Sequence, residues 1–196
     1  MKISIKFAKL VRIVTVAPLI AFGLLSITYG IRPELFQGLK NYLSAVIFLT
    51  VLPLTAYPLQ PFIPKFRDKG REGQRNLAIV MAIIGYVCGM VYVLIARVPR
   101  AVLLIYLTYF FSGLGILLFN RVLKIRASGH SGGVVGPTAL LVLFVGLEAI
   151  FYCLALILLV FWASLKTKRH SLSQLLWGSM IPLVALFLAI LCVGKY

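Results

Sequence analysis

The stretch that decides the fold runs from Val134 to Leu165, VVGPTALLVLFVGLEAIFYCLALILLVFWASL, and carries a single charged residue, Glu148. As one helix it would be about 48 Å long at about 1.5 Å per residue. A hydrocarbon core is only about 30 Å thick. Gly146 stands just before Leu147-Glu148, and a carboxylate inside a membrane segment is least costly at an interface. The stretch therefore reads as two short spans turning near Gly146, with one strongly tilted helix as the alternative.

Working outward, the rest of the chain has the same character. Of 196 residues, 62% are hydrophobic and 12% charged, and the mean hydropathy is +1.05. A soluble domain is about 45–50% apolar and about 25% charged, and a globule this small cannot hide such a surplus. A soluble enzyme, a disordered tail and a nucleic-acid-binding domain are thereby excluded. The expected architecture is an all-α polytopic transmembrane helical bundle, one integral membrane domain over residues 1–196.

The remaining spans are expected at about Ile13–Tyr29, Tyr42–Ile63, Leu77–Ala96, Ala101–Phe119 and Ser171–Val193. That makes seven in all, or six if the long stretch is one helix. The first follows a basic start without a small-residue cleavage site and reads as an uncleaved span. Pro53, Pro58 and Pro61 predict a kinked or broken second span. Gly85 and Gly89 form a small-xxx-small pair suited to helix packing. Cys88, Cys153 and Cys192 lie in apolar runs without paired spacing, which indicates neither a disulfide framework nor a metal site.

Lys and Arg number 20 against four acids, a net charge of +16. With seven spans, 15 of the 20 fall on the side of the N-terminus: Lys2, Lys6, Lys9 and Arg12; Lys65, Arg67, Lys69, Arg71 and Arg75; Arg121, Lys124 and Arg126; Lys166, Lys168 and Arg169. Arg32, Lys40, Arg97, Arg100 and Lys195 fall on the other. The positive-inside rule makes the richer side cytoplasmic. No lipidation motif is visible, which fits a prokaryotic inner membrane.

Both histidines of the chain, His130 and His170, lie in loops on that basic side, each preceded by cations. The loop before the third span adds Arg71 and Arg75. Guanidinium, ammonium and imidazole groups with few acids suit a phosphate ester: cations neutralise the oxygens, backbone N–H groups at a helix start complete the cradle, and a histidine attacks or moves the proton. Gly129, beside Ser128, allows close backbone approach to an oxyanion.

These residues resemble a known pattern. Ser128-Gly129-His130 is similar to the second signature of the type 2 phosphatidic acid phosphatase superfamily, and His170-Ser171-Leu172-Ser173-Gln174 with Gly178 is similar to the third. Arg71 to Asn76 resembles the first more faintly. The resemblance spans about residues 65–180. It implies that His170 is the nucleophile, forming a phosphohistidine, and that His130 protonates the leaving lipid alkoxide. It further implies that Arg71, Arg75, Ser128, Gly129, Lys166 and Lys168 bind phosphate and that Gln174 orients the nucleophile. No metal and no other cofactor is implied. The partners would be a lipid or isoprenoid phosphate or diphosphate taken from the bilayer, with no nucleic acid.

The chain departs from the pattern in places. Asp68 occupies the lysine slot of the first signature and Asn76 its proline slot. Ser164 stands where the third signature has an arginine, and Gln174 where many members have an aspartate. The rival expectations are a lipid transporter or scramblase whose cations only attract head groups, and a lipid phosphotransferase or catalytically degenerate relative.

Overall fold

A computed structural model describes residues 2–194. Among these the chain is 87% helix without strands. Its elements are α1 (Lys2–Val14), α2 (Ala17–Ile31), α3 (Leu39–Val46), α4 (Leu52–Leu59), α5 (Pro64–Arg67), α6 (Gly70–Ala96), α7 (Arg100–Leu117), α8 (Gly129–Val145), α9 (Ile150–Lys166) and α10 (Leu172–Val193). Five helical segments are long and apolar enough to cross a membrane: Leu39–Phe62, Gly70–Ala96, Arg100–Val122, Leu147–Lys166 and Leu172–Val193. A sixth exists if α1 and α2 act together. The protein is thus an all-helical chain of the integral membrane kind.

Two differences from the expected spans have physical causes. The first span is no single helix: the chain breaks between Val14 and Ala17 and bends by 60° there. Pro18, in the first turn of α2, has no N–H to offer the preceding turn. Against the six or seven spans expected, five helical segments, or six with the bent pair, have the length and composition to span; α8, at 17 residues, is the short one, at about 25 Å. Elsewhere the expectations are met more closely. Leu39–Phe62 is one continuous segment whose helix is irregular rather than broken, with a π turn at Ile47–Val51 just before Pro53, a local widening that accommodates a missing donor. The long apolar stretch does turn at Gly146 (φ +124°), a left-handed backbone that glycine adopts without a Cβ clash, and Glu148 follows, exposed, in a short 3-10 turn.

Arg32, at the end of α2, donates to the Phe144 carbonyl near the end of α8 (3.2 Å) and pairs with Glu34. Lys195, assigned from sequence to the side opposite the histidines, lies outside the described residues. The core is built from Leu24, Leu25, Leu49, Leu104, Ile105, Tyr106 and Leu140, all buried. Gly85 lies on the Phe48 carbonyl and Gly89 on the Tyr106 ring, so both serve helix packing.

Candidate functional site

Both histidine-bearing helices begin with a serine cap. Ser128 accepts from the Ser131 N–H (3.2 Å) and Ser171 from the Gln174 N–H (3.3 Å), each satisfying a donor that a helix start leaves unpaired. The two starts are then stitched together. The Ser128 N–H donates to the Gln174 carbonyl (2.9 Å), and the Ser131 hydroxyl donates to the Leu175 carbonyl (2.9 Å). Gly178 lies against the Ser128 carbonyl and the Ser131 hydroxyl, where any side chain would collide. Gly132 faces the Gly178 carbonyl in the same seam, and Gly136 faces Pro182. Small residues thus let α8 and α10 approach, which brings the helix starts that carry His130 and His170 together.

The His170 ring is half-buried in the connection between α9 and α10. Its Nδ1 lies 3.0 Å from Gln174 Oε1. A carbonyl oxygen only accepts, so Nδ1 carries the proton and Nε2 keeps its lone pair. Burial pushes the imidazole below its ordinary value. The Gln174 hydrogen bond opposes this, and the positive charges of Arg12 and Arg75 add to it. A ring held neutral at pH 7 with a free Nε2 is a competent nucleophile.

His130 occupies the second position of α8. Its Nε2 lies 3.3 Å from the Thr15 hydroxyl. That hydroxyl donates its one hydrogen to the Val11 carbonyl (2.7 Å), so its oxygen accepts from the imidazole, and Nε2 is the protonated nitrogen. Charge on Arg12 and on His170 acts on the His130 ring, so the two histidines and Arg12 form one electrostatic unit.

The other residues singled out from sequence fall into three groups. Ser128 is fully buried and its hydroxyl is committed to the α8 cap, so it holds the helix that carries His130. Gly129 is exposed, with open space where a side chain would stand. Arg75 acts on His170, and Arg71, Arg75, Lys166 and Lys168 are all exposed, with no hydrogen bond or ion pair anchoring them among the described residues. Lys168 has another duty. It takes the left-handed conformation (φ +52°) in a Schellman close of α9, with Lys168 N–H to Leu165 carbonyl (3.0 Å) and Arg169 N–H to Ser164 carbonyl (3.1 Å). That turn aims the chain back toward His170.

Sequence reasoning missed three contributors. Arg12 comes from the last turn of α1 and Thr15 from the break that follows it, and Arg12 donates to the Ser164 hydroxyl (2.8 Å). Asn120 clamps the loop before Ser128, donating to the Ala127 carbonyl (3.1 Å) and accepting from its N–H (3.2 Å). Only the position of Arg12 at the end of a basic helix hinted at its part. Among the described residues no three His, Cys, Asp or Glu side chains converge as metal ligands. No protein-family model, no curated protein and no solved structure matches this chain.

Proposed function

We propose that this chain is a membrane-embedded phosphoric ester hydrolase acting on a lipid or isoprenoid phosphate or diphosphate through a phosphohistidine intermediate. The observation that carries the reading is the meeting of His170 and His130, 40 residues apart in the sequence, with Arg12 and Arg75 acting on them and, among the described residues, no carboxylate paired with either ring. The resemblance of Ser128-Gly129-His130 and of His170 to Gln174 to the phosphatidic acid phosphatase signatures points the same way.

In the first step His170 Nε2 attacks phosphorus. The P–N bond forms as the P–O bond to the lipid breaks, and His130, entering as the imidazolium once the substrate's phosphate offsets the charge of Arg12, gives one proton to the departing alkoxide and is left neutral. Arg75 and the Gly129 amide face the developing charge on the phosphoryl oxygens, and Arg71, Lys166 and Lys168 raise the local concentration of an anionic head group. In the second step water attacks phosphorus and loses a proton to His130, the P–N bond breaks, and orthophosphate leaves with both rings restored. Gln174 keeps the nucleophile in the tautomer whose lone pair sits on Nε2. The substrate arrives from the bilayer with its chain still in lipid, and the basic end faces the cytoplasm of a prokaryotic inner membrane by the positive-inside rule.

Purified protein in detergent micelles, offered a panel of lipid and polyprenyl phosphates, should release inorganic phosphate equally with and without EDTA. His170→Ala and His130→Ala should each lower kcat by about a thousandfold or more, as expected when a nucleophile or a proton-transfer group is lost. Undiminished release by His170→Ala overturns the phosphohistidine route.

A further inference from the structure

A charge partly withdrawn from water needs a counter-charge or it destabilises the fold that holds it. Arg12 is such a charge. It sits half-buried at the last turn of α1, and among the described residues its one side-chain hydrogen bond runs to the hydroxyl of Ser164, which is fully buried on α9. A guanidinium has five N–H donors in a planar fork, so this leaves most of its donors for another acceptor. Among the described residues no carboxylate pairs with it. The two ion pairs present, Arg32 with Glu34 and Arg67 with Asp68, are exposed and lie elsewhere. Its charged surroundings are instead both histidines, and Arg75 acts on one of them. Cations and imidazoles packed together without an anion make a cradle for a multiply charged oxyanion.

The local build is firm. Ala8 and Val11 of α1 bury against Ala163 of α9, and the Phe7 and Trp162 rings meet at 6.0 Å. Three residues after Arg12, Thr15 holds His130. The bend that follows turns the chain away into α2. Helix α1 is therefore a wall of the site, fixed to α9 on one side and to His130 on the other.

We infer that Arg12 is the phosphoryl-binding guanidinium of this site, delivered by α1 and aimed by Ser164. The inference rests on the proposed function for the identity of the anion, a phosphoryl group in transit between lipid and water. Arg71, Lys166 and Lys168 are less suited. They are exposed and unanchored, and a lysine meets phosphate as a point charge, whereas arginine meets it with two parallel N–H bonds.

The test uses inorganic orthovanadate, titrated calorimetrically into the micellar protein, beside phosphate release from a lipid phosphate. Wild type should bind vanadate. Arg12→Ala should weaken that binding by about 10- to 100-fold, the worth of a charge-assisted pair, and lower kcat/KM with it. Arg12→Lys should fall between the two. Arg12→Ala/Ser164→Arg, which plants a guanidinium where the old one was anchored, should recover affinity. Unchanged vanadate affinity in Arg12→Ala overturns the inference while lipid hydrolysis, if present, leaves the proposed function standing. Arg12-dependent vanadate binding without hydrolysis by wild type does the reverse. If Arg12→Ala does not fold, Arg12→Lys decides, and wild-type affinity there rules out the fork.

Discussion

The starts of α8 and α10 are built alike and used differently. Each has a serine cap closed by the N–H three residues on, and each carries a histidine within two positions of it. In α8 the histidine follows the cap, lies inside the first turn and is held by Thr15 of another helix. In α10 it precedes the cap, outside the helix, and is held by Gln174 of its own first turn. Ser128 is fully buried, whereas Ser171 is exposed. The same local motif thus yields one ring fixed by the tertiary structure and one fixed locally and open to attack. An acid that must wait in place and a nucleophile that must be reached ask for that asymmetry.

The sharpest way to break the pairing is to part the two helix starts. Gly178→Ala puts a methyl group into the Ser128 carbonyl and the Ser131 hydroxyl. Overpacking of this kind costs about 1–3 kcal/mol, so the unfolding midpoint in detergent should drop and phosphate release should collapse. Gly129→Ala meets open space and should leave the midpoint where it was.

A smaller effect separates the caps. Losing a serine cap costs about 1 kcal/mol, with more at a buried position where the freed N–H finds no water. Ser128→Ala should therefore lower the thermal midpoint clearly more than Ser171→Ala; equal losses would erase the distinction between a buried and an open start.

The finest probe is the acidic limb of kcat/KM. His170 must be neutral to attack, and its imidazole is pushed below the ordinary value, first by burial and then by the charges of Arg12 and Arg75, against the Gln174 bond. Rate should therefore persist below the ordinary imidazole range, about pH 6.5, before it falls. Removing the positive charge in Arg75→Ala makes the imidazolium easier to form, and the limb should move to higher pH. Gln174→Glu should move it the same way, since a carboxylate stabilises the imidazolium more than an amide does. A limb that ignores both substitutions would detach His170 from the rate.

Much of the site was legible in the chain. The residues of the stitched helix starts, Ser128 to His130 and His170 to Gln174, stood out as runs, because helix caps and i to i+4 pairs are local devices. The duty of Ser128 is harder to read for the same reason: a serine before a helix offers a cap and an anion ligand in the same letters, and the structure shows it buried in the cap. Arg12 and Ser164 are 152 residues apart, and no periodicity connects them.

Apolar excess, the alternation of long greasy runs with basic connections, and the turn at Gly146 follow from composition and backbone chemistry alone, since lipid admits helices whose polar groups are satisfied internally. Which cations stand beside the imidazoles, and that a bend after Val14 carries Arg12 and Thr15 to them, was decided by packing: the small side chains of Ala8, Ala163, Gly132 and Gly178 allow close approach, and close approach is a property of pairs of helices.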